Sequence, residues 1–356
     1  FNLYDVIVNA DGLNNCDEFD AGDNNVECIN DIDHIVGPVS QTNNPADNSA
    51  LTNEIDIVTD DNMLNDCTET GNGDNNAICN NIGNDVISGI EQDNFVDATT
   101  LGAGFVESNN LNTLQGFDMT NDCDETGEGL NSANCDHEVH NLIGPVDQSN
   151  QISGHTPNTV HSNNIEVSQF GTATNNCDES GAGTGINDVS CGDSGDQNMN
   201  EITAVDQDNI ANGADNAAQT NDLTTFQALD IENNCNEFED GSNTVLCTIG
   251  SLDNTVGESV PVVQSNTASG SPDANIIQNN EIDGDDALGL PGITQVIVAA
   301  NTCGQTGSGD NLASCDIFGT DNHIDSLRQS NFADADDGAT IAQDNRNVIS
   351  QVIVAE

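Results

Sequence analysis

Six times along this chain a pair of cysteines encloses a short acidic loop, and a chain punctuated in that way has few folds open to it. One copy reads NDCDETGEGLNSANC, from Asn121 to Cys135. The pairs are Cys16 and Cys28, Cys67 and Cys79, Cys123 and Cys135, Cys177 and Cys191, Cys235 and Cys247, and Cys303 and Cys315, which together use all twelve cysteines. Eleven residues separate the partners in five pairs and thirteen in the fourth. Glycine follows each first cysteine by six places, at Gly22, Gly73, Gly129, Gly183, Gly241 and Gly309. An acid follows it by two places in five copies, as Glu18, Glu69, Glu125, Glu179 and Glu237, and Gln305 takes that place in the sixth. A loop returning roughly every 50 to 70 residues identifies a repeat protein. The chain reads as a single array over 1–356, with units near 1–52, 53–108, 109–162, 163–219, 220–278 and 279–356.

Charge narrows the partners. There are 62 acidic residues against two arginines and no lysine, a formal net charge of -60. Nucleic acid and anionic membranes demand clustered Lys or Arg and are excluded as partners, whereas cations are favoured. A chain this polar, with 3% aromatic residues, has the composition of a disordered one. Regular cysteines argue the other way, for a disulfide framework made in an oxidising compartment. No run approaches the length of apolar chain needed to cross a bilayer. The sequence begins at Phe1 rather than Met, which points to a leader already removed and to an extracellular or cell-envelope location. It also lacks any Asn-x-Ser/Thr acceptor, as selection against glycosylation would produce.

Between the loops, short alternating segments end in Gln-x-Asn: Gln41 and Asn43, Gln92 and Asn94, Gln148 and Asn150, Gln207 and Asn209, Gln264 and Asn266, Gln329 and Asn331. Branched residues precede them at matching places, as Ile35 and Val39, Val86 and Ile90, Leu142 and Val146, Ile202 and Val205, Ile324 and Leu327. Such alternation predicts half-buried β-strands, and the wealth of Asn, Asp, Gly, Ser and Thr argues against helix. A second polar mark follows at Asn53, Asn110, Asn164, Asn221, Asn280 and Asn345, and then Gln115, Gln169, Gln227 and Gln295 stand eight residues before a first cysteine, with Thr59 in the second copy. GDDALGLPG, after Ile282 and Asp283, is read as a surface insertion. Similar β-branched runs open the chain (YDVIVNA), precede the last loop (QVIVA) and close the chain (QVIVA). The chain thus starts and stops inside the repeat, as a head-to-tail polymer needs, or as a capping strand would.

The expected fold is all-β, a β-solenoid or β-arch stack of six cysteine-loop repeats. Stacking places equivalent residues about 4.7 to 4.9 Å apart, so columns of Asn and Gln amides can bond along the axis. A disulfide closing a thirteen-residue loop contributes roughly 3 kcal/mol in the chain-entropy view. Pairing within each loop is favoured, with pairing to a neighbouring copy or chain left open. The loop glutamates Glu18, Glu69, Glu125, Glu179 and Glu237 are candidate ligands for Ca²⁺ or another divalent cation, against a solvated acidic turn, and no cofactor is required. His137 and His140 beside Cys135 and Asp136 are zinc-ligand types, although a disulfide explains the cysteine better. Carboxylate pairs occur in every copy and single out no hydrolase site. The chain is expected not to be an enzyme.

The Gln-x-Asn marks and alternating strands resemble curlin-type repeats of bacterial amyloid fibres, which are shorter and lack cysteines. Cysteine-rich, acidic, lysine-free repeats at this scale resemble the sheath proteins of filamentous methane-producing archaea. That resemblance implies an extracellular tube of stacked hoops built from amyloid-like β-arches and locked by disulfides, a homopolymer assembled end to end. The alternative reading is a secreted calcium-binding adhesin or surface-layer component.

Overall fold

The computed structural model describes residues 1–19, 21–44, 50–98, 104–180, 186–192, 197–238, 242–257, 262–282, 292–305, 310–324, 326–335 and 339–355. Period-two alternation along the chain becomes strand throughout these residues, with no helix among them. Each repeat forms one rung of three segments. In the second rung a long strand, Ala50–Asn72, is followed by a return strand, Asn75–Ile87, and a shorter Gln-x-Asn strand, Ile90–Ala98. The third rung repeats the order as Phe105–Glu128, Asn131–Ile143 and Val146–Thr156.

Every rung pairs in parallel with the next, in register. First cysteines run Cys16, Cys67, Cys123, Cys177, Cys235, Cys303 through one sheet of 14 strands. Second cysteines run Cys28, Cys79, Cys135, Cys191, Cys247, Cys315 through another of 9 strands. The two extra residues of the fourth loop fall between Glu179 and Asn187, since both ends keep their register with the third rung. The result is an all-β solenoid-like stack of two layers. Long strands face the return strands across the interior, and the Gln-x-Asn strands, which continue the return strands past a corner, are joined by hydrogen bonds to the 14-stranded sheet where Val205–Glu237 runs as one continuous strand.

Between the layers, polar and apolar positions alternate in files that run the length of the stack. Along the second rung's long strand the buried side chains are Leu51, Asn53, Ile55, Ile57, Thr59, Asp61, Met63, Asn65, Cys67 and Glu69. Leu51 joins Phe105, Val96 and Ile152 in one apolar cluster, and Ile55 and Ile57 join Val36, Val39, Ile87 and Ile90 in a second. Met63 belongs to a third with Phe117 and Val139, and the cysteines form a fourth. Each rung supplies only a few apolar residues per cluster, at most four, as in the second rung. Only stacking turns them into a core, because a lone rung would leave both of its edges in water.

Two sets of expected positions are shifted by one residue. The inward branched residues of the return strands are Val36, Ile87 and Ile143, not Ile35, Val86 and Leu142; Ile35 is 74% exposed. Ile202, Val39, Ile90, Val146, Val205, Ile324 and Leu327 do pack in or against that cluster. The second amide file runs through Asn109 and Asn163, not Asn110 and Asn164, and otherwise through Asn53, Asn221, Asn280 and Asn345 as expected. Alternation sends neighbouring residues to opposite faces, so one member of each doublet must point out. The closing QVIVA stacks in register on Gln295–Ala299, but the opening run stands elsewhere, with Val6 on Ile57. Most of GDDALGLPG lies outside the described residues.

Candidate functional site

The interior files carry the chemistry. Gln41, Gln92, Gln148, Gln207, Gln264 and Gln329 form a ladder in which each Nε2 donates to the Oε1 of the preceding rung, at 3.3, 2.8, 3.0, 2.8 and 2.7 Å. Asn43, Asn94, Asn150, Asn209, Asn266 and Asn331 form another. There each Nδ2 donates to the Oδ1 of the following rung, at 2.8, 2.8, 2.9, 3.0 and 3.0 Å. The facing file of Asn2, Asn53, Asn109, Asn163, Asn221, Asn280 and Asn345 runs the same way, at 2.9 to 3.0 Å. Gln115, Gln169, Gln227, Gln295 and Gln351 run with the other glutamines, at 2.7 to 2.9 Å. Each of these ladders therefore has a direction, the asparagines donating toward the C-terminal rung and the glutamines toward the N-terminal one.

Six disulfides join the layers, each within its own loop, with Cα atoms 6.2 to 6.5 Å apart. That Cα separation is within the usual disulfide range, and the six bonds account for all twelve cysteines. Their formation requires an oxidising environment. The loop glycines answer to stacking: a Cβ on Gly129 would lie 1.9 Å from the Gly73 carbonyl oxygen, and one on Gly73 would lie 2.2 Å from that of Gly22. Gly183, Gly241 and Gly309 lie outside the described residues.

Two residues beyond each first cysteine the chain again faces inward, so the loop glutamates form a file behind the disulfides. Glu18, Glu69, Glu125, Glu179 and Glu237 are neighbours in register, and the last four are at most 1% exposed. Burial, and then the charges of Glu179 and Glu69, push Glu125 up to about 9. Burial pushes Glu69 to about 7, opposed by the backbone of Asn76 and aided by Glu18. At pH 7 Glu125 therefore keeps its proton in the folded chain. The zinc-ligand types of the third loop do not converge: Cys135 is in a disulfide, and His137 and His140, three residues apart on a strand, face opposite ways. His137 fills an asparagine position, its Nδ1 2.8 Å from Asn175 Nδ2.

Two polar groups were missed by the sequence reading. Glu107 and His161 replace inward-facing residues of a file that continues as Gln219, Gln278 and Gln343, with His161 Nε2 3.1 Å from Glu107 Oε2. Burial pushes Glu107 up to about 8 and His161 down to about 3, so both are neutral at pH 7. In the first two rungs His34, Asp61 and Asp85 meet between the layers. Burial raises both aspartates, Asp85 to about 6. Contact between residues 27 and 51 apart leaves no local pattern; the legible signal was a departure from the repeat's own consensus.

The first and last rungs of this chain offer unlike groups. On the N-terminal rung Asn2 and Asn14 donate to Asn53 and Asn65, which leaves their Oδ1 atoms as acceptors. On the C-terminal side Asn345 accepts from Asn280 and Asn331, which leaves its Nδ2 as donor, and Gln351 and Gln343 donate backward and keep Oε1. Ile349 and Ile353, whose counterparts Ile293 and Ile297 are fully buried, are 45% and 46% exposed. Comparison with protein-family models, curated proteins and solved structures finds no match to this chain.

Proposed function

We propose that this chain is a building block of an extracellular structure, a disulfide-stabilised sheath, hoop or fibre that grows by stacking copies end to end. The observation that carries this reading is the direction of the amide ladders. A second copy added in the same sense brings the Asn345 Nδ2 donor to an Asn2 Oδ1 acceptor, whereas one added head to head sets like groups against each other; the Gln351 file meets Val8 on the first rung and adds no such bond. Exposed Ile349 and Ile353 add apolar surface to the same face. An assembling protein leaves such edges available where a soluble one blunts them. On the outer faces, acids also stack in register, as Glu91, Asp147 and Asp206 do. Partial burial, and then the charges of Asp208 and Asp147, raise Asp206 to about 6. Cations that screen these files would let neighbouring filaments approach.

The test is electron microscopy with fibre diffraction on the material as found outside the cell, and on purified protein at rising ionic strength. Long polymers with a sharp reflection at about 4.7 to 4.8 Å along the stacking axis are expected. Particles that stay monomeric under both conditions would sink the proposal.

A further inference from the structure

The stack breaks its own pattern at one interior place. Asp61 stands in a file that continues as Phe117, Gly171, Leu229 and Ile297, apolar in every later rung. Opposite it, an asparagine ladder runs Asn141, Asn200, Asn254, Asn322 with bonds of 2.9 Å, and its first two positions are filled by His34 and Asp85. Beside them Thr59 stands where later rungs carry glutamine. Three ionisable groups thus replace apolar and amide side chains at one point, drawn from the first and second rungs.

Their geometry is convergent. His34 Nδ1 lies 3.0 Å from Asp61 Oδ2 and 3.1 Å from Asp85 Oδ1. One ring nitrogen can give a proton to only one of them. Both aspartates are fully buried; beyond His34 the polar groups facing them are the backbone N–H of Ala10, held by Asp61 Oδ1, and the hydroxyl of Thr59 beside Asp85. No lysine exists, and the two arginines, Arg328 and Arg346, belong to the opposite end of the array. With both carboxylates ionised, one imidazole cannot balance their charge, so the buried group must take up either protons or a cation. Tetrahedral donors at about 2.0 to 2.2 Å from a cation are spaced by about 3.3 to 3.6 Å; the two His34 separations are slightly shorter, and all three donor atoms lie within 4.8 Å of one another.

We infer that His34, Asp61 and Asp85 form a binding site for a divalent transition-metal cation of the zinc class, which staples the first rung to the second. A nitrogen donor with two carboxylates suits Zn²⁺, Co²⁺ or Mn²⁺ and disfavours Ca²⁺ and Mg²⁺, which take oxygen ligands. The charge of such an ion neutralises the two aspartates with the imidazole neutral. His34, its side chain 15% exposed, gives the ion a way in.

The experiment titrates Co²⁺, then competing Zn²⁺, into the full-length, disulfide-intact chain after chelation, at high ionic strength to suppress diffuse binding to the acidic surface. One saturable equivalent is expected, with visible absorption bands of Co²⁺ held by nitrogen and oxygen, displaced by Zn²⁺ and indifferent to Ca²⁺. The double variant His34→Asn, Asp85→Asn extends an existing asparagine ladder and is expected to keep wild-type circular dichroism while binding at least about tenfold more weakly. Asp61→Leu, which installs the residue found at Leu229, serves as a second variant and is expected to behave alike. Wild-type protein that takes up no saturable equivalent, or variants that bind as tightly as wild type, would overturn the inference. The readout is made on single chains, so it does not depend on polymerisation.

Discussion

Asn163→Asp isolates what an amide ladder does, because it changes no shape. Asn163 is fully buried and accepts from Asn109 and Asn150 at 3.0 and 2.8 Å. Its Nδ2 faces the carbonyl oxygens of Asp208 and Gln148 and the Oδ1 atoms of Asn221 and Asn209, at 3.0 to 3.3 Å. An ionised aspartate there would set an unpaired charge against four acceptors, so the folded chain takes up a proton instead. Holding a carboxyl of ordinary pKa about 3.9 protonated at pH 7 costs about 4 kcal/mol, at about 1.4 kcal/mol per pH unit. Replacing NH₂ by OH loses one donor, a further cost of about 1 kcal/mol. The variant should therefore be about 5 kcal/mol less stable than wild type at pH 7 and about 1 kcal/mol less stable at pH 4. The sign follows from linkage: a folded pKa above the unfolded one gives stability that is present below about 3.9 and lost as pH rises. Urea midpoints of both proteins at the two pH values measure the difference. Asn345→Asp, on the exposed last rung, is the control and should cost under about 0.5 kcal/mol. An Asn163→Asp penalty that is small at pH 7, or equal at both pH values, would refute the claim that the ladder is a dry, donor-dependent element.

The glutamate file predicts a pH dependence in the wild-type protein. Glu69 and Glu125 titrate near 7 and 9 rather than 4.5, so between pH 4.5 and 7 both hold extra protons in the folded state, and stability should fall by up to about 1.4 kcal/mol per pH unit for each. Glu125→Gln should remove one such share of the slope, as read by urea midpoints across that range. Gly129→Ala forces a methyl to within 1.9 Å of the Gly73 carbonyl and should cost about 1 to 3 kcal/mol, whereas Gly89→Ala meets nothing nearer than 3.7 Å and should be near neutral in thermal melts. Replacing Cys177 and Cys191 together by alanine should cost about 3 kcal/mol in urea, and hydrogen exchange should place the loss in the central rungs.

The sequence by itself determined the repeat, the all-β class and the recurrence of the Gln-x-Asn marks at places that stack into columns, because these follow from strand period and spacing read along the chain. It also held a signal for the correct asparagine: Asn2, Asn53, Asn109, Asn163 and Asn221 each stand fourteen residues before a first cysteine, an even offset that sends both to one face. Counting from the cysteine resolves the doublets that inspection of Asn109–Asn110 and Asn163–Asn164 leaves open. The same count from Cys28 selects Val36 over Ile35, and it fails past Gly37 and Pro38, where the corner resets the alternation. Only the tertiary structure decided that each rung is a three-segment arch, that the amide ladders point in opposite senses, and that His34, Asp61 and Asp85 meet. Those facts depend on which strand faces which across the interior, and a contact between layers leaves no periodicity in the chain that makes it.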